Sequence, residues 1–281
     1  MAQWLRHCCR QIARFALPWR IILFFGILLI LWGPFAVCIY GLGYLLGQNN
    51  IASILALVLL YACFLLLAWA WGWLVHSWQK PLKIYGLIFC DRFFKDLAIA
   101  LLSGVGLVVL LFGVQVLLGW ASFYPRPLMA IAVEGLLVAL GIGLAEELLF
   151  RGWLLAELQT GLSRGAAVVW SSLLFAIAHF IKPLSEILRT SPQFFGLLLL
   201  GLILAMVRSR NQARSFQSLG MPIGLHAGLV WGYYIVDVGD LVLPEWRVPE
   251  WVTGIHGNPL SGLLGLVILG SLTALSFLRW R

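Results

Sequence analysis

The chain has 281 residues, of which 62% are hydrophobic and 11% charged, with a formal net charge of +8. Ordinary globular proteins are roughly 45–50% apolar, and a soluble chain with so few charges could not cover its surface with polar groups. Intrinsic disorder is excluded as well, because apolar content this high cannot stay solvated. The composition is that of an integral, multi-pass membrane protein with an all-α fold, a polytopic transmembrane helix bundle.

Residues 1–20 place Leu5, Cys8, Cys9, Ile12, Phe15 and Ala16 near one helical face and Arg6, Arg10 and Arg14 on another. That pattern suits a basic amphipathic segment lying on the anionic cytoplasmic leaflet; plain topogenic charge explains it equally well. About eight apolar spans follow, at 21–47, 51–76, 96–121, 128–159, 165–181, 194–207, 219–237 and 259–278. The first is too long for a signal peptide and precedes no A-x-A site, so it reads as a retained anchor. The organisation expected is N-terminal helices over 21–121, a core over 128–240 and a C-terminal helix within 259–281.

With the N-terminus in the cytoplasm, only Arg126, Lys182, Arg189 and Arg247 of the nineteen basic residues fall on the opposite side. The positive-inside bias therefore supports eight spans with both termini cytoplasmic. The cysteines Cys8, Cys9, Cys38, Cys63 and Cys90 show no metal spacing. The tryptophans cluster mostly near span ends, as interfacial anchors do. HGNPLSG at 256–262 reads as a turn into the last helix, on the side away from the expected opening. No Walker or GxGxxG string and no nucleic-acid module is present, so membrane lipid is an expected partner and nucleic acid is not. The sequence does not specify which membrane houses the chain.

Ionisable groups inside spans cost about 2.5–3.5 kcal/mol each on insertion scales and are functional candidates by default. They are Glu134, Glu146, Glu147, Arg151, His179 and His226, and five of them lie in EELLFR (146–151), FAIAH (175–179) and LHAGLVW (225–231). On an α-helix Glu147 and Arg151 share a face and can neutralise each other. Glu146 points about 100° away from Glu147, without a local partner, and is the carboxylate left to act as a general base. By helical rise, Glu146 and His179 both reach roughly 20 Å from the cytoplasmic side and His226 about 11 Å, so tilt or a cavity must reconcile the depths. One carboxylate and two imidazoles could hold and activate water while stabilising an oxyanion. They could equally ligate Zn²⁺ with an open position. Glu134 is isolated and reads as an interface residue.

EELLFRG, then FAIAH, then LH resembles the CPBP family of intramembrane proteases, also called Abi or CAAX-protease-like. The resemblance covers about 130–240 and implies an endopeptidase whose water is activated by Glu146. Glu147 and Arg151 would be structural support, and His179 and His226 would position water, polarise the carbonyl or bind metal. It also implies a membrane-associated substrate, prenylated in the eukaryotic relatives. The chain departs from the pattern at Val230, where the family often has Asn; Trp231 and Tyr233 are the nearby donors. Losing one oxyanion donor typically costs about 10²–10³ in rate. Two other readings are a catalytically impaired scaffold or binding protein, supported by Val230, and a proton-relay transporter, which lacks the inverted repeats of that class.

Overall fold

The computed structural model describes residues 9–209 and 218–280, and these divide into two compact units, 1–84 and 85–281. The first unit is a hairpin of α1 (Leu17–Leu45) and α2 (Asn49–Leu74), followed by a helical turn at Pro81–Ile84. Pro18 stands in the first turn of α1, where its missing N–H costs nothing. The left-handed Gly47 makes the turn between the two helices. Of the basic amphipathic stretch expected over 1–20, residues 1–8 lie outside the described residues and 9–12 are helical.

The second unit contains α3 (Asp91–Leu117), α4 (Met129–Glu147), a π-helical segment at Leu148–Leu154 and its continuation α5 (Leu155–Gln159). Next come α6 (Arg164–Ala178), the short α7 (Leu184–Thr190), α8 (Phe194–Ser209), α9 (Gly220–Val238) and α10 (Leu263–Trp280). Helix α9 packs between α3 and α4, while α8 packs on α6 and α10. The α3–α9 contact is close because Gly224 and Gly228 face the backbones of Leu97 and Leu101, where a methyl group would overlap main-chain atoms. Small residues do the same work at helix interfaces in membranes generally, where there is no hydrophobic drive between helices.

Each of the eight expected spans is helical, and among the described residues six helical segments are long and apolar enough to cross a membrane: Leu17–Leu45, Asn49–Leu74, Asp91–Leu117, Met129–Gln159, Leu184–Ser209 and Leu263–Trp280. The protein is an all-α, multi-pass integral membrane protein. The two that fall short are α6, with 15 residues, and α9, and these carry His179 and His226. Polarity and shortness are tolerable there because both helices pack within the second unit.

One feature was absent from the sequence reading. Ala121–Phe123 (β1) pairs antiparallel with Val242–Pro244 (β2) in a two-stranded ribbon. Three-residue strands in connections leave too short an alternation to be read from sequence. The ribbon ties the end of α3 to the segment after α9.

Candidate active site

Glu146 and Glu147 are the last two residues of α4, and the π-helical segment starts at the next residue. Such segments are rare, and they re-aim side chains at functional sites. Here the segment carries Phe150 and Arg151, and its glycine, Gly152, lies against the carbonyl of Tyr85, so that an added methyl group would sit 3.0 Å from that oxygen. The Ser171 hydroxyl, from α6, donates to the Phe150 carbonyl at 2.9 Å and pins the segment to its neighbour.

Glu147 and Arg151 are both fully buried and meet at 2.9 Å, as their spacing predicts. The second guanidinium nitrogen of Arg151 donates to the Gly201 carbonyl on α8 at 3.3 Å. The guanidinium carbon lies 4.1 Å from the centre of the Phe175 ring. Arg151 therefore joins α4, α6 and α8 through a charge, a hydrogen bond and a cation–π contact. Glu147 has a further partner that spacing could not show: its Oε1 accepts from Nδ1 of His226 at 2.9 Å. A carboxylate oxygen accepts, so in this bond Nδ1 carries the proton.

His179 is set the same way by a different acceptor. It caps the C-terminus of α6, and its Nδ1 donates to the Phe175 carbonyl at 2.8 Å. Both imidazoles consequently turn Nε2 toward Glu146. Its Oε2 lies 3.7 Å from Nε2 of His179 and 3.9 Å from Nε2 of His226. That oxygen is buried and, among the described residues, has no hydrogen-bond partner of its own. Separations beyond 3.5 Å between convergent polar groups leave room for a bridging molecule the size of water.

His226 reaches the other site residues from a helix whose first residues are themselves packed against protein. Leu219 is fully buried, and its N–H bonds to the Gly86 carbonyl. All five residues proposed for the site come together, whereas Glu134 is exposed and meets Tyr234 instead.

Phe175 was legible only as part of a motif. Besides its contact with Arg151, its ring sits edge-on to both imidazoles, with centroids 4.6 Å from His179 and 6.0 Å from His226. The four-residue spacing from Phe175 to His179 was the available signal, because it puts both on one helical face.

A cavity of about 280 Å³ leads to the two histidines, with Val230, Leu111, Leu200 and Leu269 among its mostly apolar walls. Gln193 and the loop residue Asn258 also line it. The 256–262 segment thus borders the cavity. That loop does form a turn, with Asn258 Oδ1 accepting from the Leu260 N–H at 2.9 Å, but the turn walls the cavity. Loop proximity across a bundle is a tertiary property that strand-by-strand bookkeeping of sides does not contain. Neither donor near Val230 faces Glu146: Trp231 donates to the Ala132 carbonyl at 2.8 Å, and the Tyr233 hydroxyl reaches Asp237 and the Gly257 carbonyl.

Glu146, His179 and His226 have the donor chemistry of a zinc site. Their 3.7 and 3.9 Å separations exceed the roughly 3.3 Å edge of a tetrahedron with 2.0–2.1 Å metal–ligand bonds. Among the described residues, no group of three or more His, Cys, Asp or Glu is arranged to hold a metal ion.

Residues 127–232 match the family model described as Rce1-like, type II CAAX prenyl endopeptidase Rce1-like. That segment runs from just before α4 to within α9 and contains every residue of the constellation. Over that segment the chain is similar to the CPBP, or CAAX-protease-like, family. No curated protein and no solved structure matches the chain.

Proposed function

We propose that the protein is an intramembrane endopeptidase that hydrolyses a peptide bond of a membrane-associated substrate with a water molecule activated by Glu146. The observation that carries this reading is the convergence of two imidazole Nε2 atoms on the buried oxygen of Glu146, partnerless among the described residues.

The three groups divide the work by their hydrogen bonds. With Nδ1–H donating to the Phe175 carbonyl, the neutral imidazole of His179 presents its Nε2 lone pair, which accepts a hydrogen bond from water and orients it. Glu146 takes the proton from that water as it attacks the carbonyl carbon. His226 keeps its Nδ1–H on the Glu147 carboxylate, and the imidazole protonated at both nitrogens presents Nε2–H as well. Its Nε2–H then donates to the oxyanion of the tetrahedral intermediate. Collapse of the intermediate passes a proton from Glu146 to the leaving amine. The apolar cavity beside the histidines receives substrate side chains and keeps bulk water out. The experiment replaces Glu146 with Gln, which keeps size but cannot take a proton, and compares peptide termini in membranes carrying either form at matched expression. Termini that appear only with the wild-type protein are expected. Identical termini from a folded variant would move the reading to a catalytically impaired scaffold.

A further inference from the structure

A second cavity, of about 370 Å³, adjoins the first, and Phe112 and Tyr233 line both. Their rings stack with centroids 6.5 Å apart and form the partition between the two spaces. Beyond it the walls combine aromatic rings, Trp120 and Trp246, with the carboxylates Asp237 and Glu250. Most of the other charges at this end are spoken for. Arg126 meets Asp240 at 3.5 Å, and the Ser122 hydroxyl donates to Glu245. His256, a further wall residue, donates its backbone N–H to Glu250 at 3.1 Å. Among the described residues, neither Asp237 nor Glu250 has a cation within 4 Å.

Gln115 supplies an independent sign of an absent partner. It lines this cavity, is 5% exposed, and its side-chain nitrogen has no hydrogen-bond acceptor. A buried amide without a partner costs about 1–3 kcal/mol, which a ligand carbonyl would recover. The walls thus ask for a molecule carrying both a cation and a carbonyl oxygen. A peptide with a basic side chain has both. A zwitterionic lipid headgroup brings a phosphate next to its ammonium, and the carboxylates would repel it.

We propose that this second cavity is a subsite for a lysine or arginine side chain of the peptide substrate, which threads past Phe112 and Tyr233 from the histidines. The inference rests on the peptidase reading above. Asp237 follows His226 by eleven residues on α9, an axial rise of about 16 Å. An extended peptide covers that in about five residues, so the basic residue lies about four to six positions from the scissile bond.

The test uses the full-length chain with Glu146→Gln, in nonionic detergent micelles, so that binding is read without turnover. The probes are two fluorescent apolar peptides of about 20 residues, one ending in Lys-Lys and the other in Gln-Gln. Fluorescence anisotropy should show the lysine peptide bound about fivefold or more tightly. Adding Asp237→Asn and Glu250→Gln should abolish the difference. Asp237→Asn alone, which keeps an oxygen for Tyr233, serves if the combined variant fails to fold. Equal affinities, or a preference that survives the substitutions, would overturn the proposal. So would an aminophospholipid that copurifies with the protein and is lost with the carboxylates while peptide binding is unchanged. Mass spectrometry of the same peptides with the wild-type chain separates the two claims. Charge-dependent binding without cleavage keeps the subsite and sinks the peptidase, whereas cleavage indifferent to charge does the reverse.

Discussion

Replacing Arg151 with Met tests how the site is held together. Both members of the Glu147–Arg151 pair are fully buried at 2.9 Å, so no solvent screens the charge that remains. Breaking a buried pair from one side costs about 3–5 kcal/mol, because the other ion is left desolvated. Met also loses the bond to the Gly201 carbonyl and the stacking on Phe175, which places the expected loss at the upper end of that range. Glu147→Leu alone strands the guanidinium and should cost a similar amount. The double variant, Glu147→Leu with Arg151→Met, removes both charges and should be more stable than either single variant, since apolar replacement of a buried pair is often neutral. Reversible unfolding in mixed micelles measures all three, and the coupling from the cycle should exceed the larger single loss, about 5 kcal/mol. Turnover should behave differently. The double variant recovers stability but leaves Nδ1 of His226 without its acceptor, so cleavage should stay about 10²–10⁴-fold down. Additive stability losses would refute the buried-pair account. Normal turnover in the double variant would refute the role given to Glu147.

Gly228→Val should destabilise the second unit severely, because its side chain overlaps the Leu101 backbone; a well-folded variant by the same assay would show that α3 and α9 are not so close. Val230→Phe narrows the cavity beside the histidines and should raise KM with little change in stability, whereas an unchanged KM would place substrate elsewhere. Metal analysis of purified protein should find less than one zinc per chain, with turnover insensitive to chelators. Stoichiometric zinc whose removal abolishes activity and whose return restores it would replace the water mechanism.

Membrane embedding, the helical segments and the chemical identity of the constellation were legible in the sequence, because each depends on local facts. Apolar length decides whether a helix can cross lipid, and a charge placed in such a helix must have a use or a partner. The Glu147–Arg151 pair was readable for the same reason, four residues being one helical turn. The contacts that give these residues distinct roles span 79 residues for Glu147 with His226 and 50 for Arg151 with the Gly201 carbonyl. Periodicity carries no information at such separations. Packing alone decided that the first residues of α9 pack against protein, that a π-helical segment follows Glu147, and that the loop at Asn258 walls the cavity while Tyr233 turns away from Glu146. A bundle of helices can close on many relative rotations with the same apolar faces covered. The glycines against the α3 backbone and the buried charge that α4, α6 and α8 share select one of them.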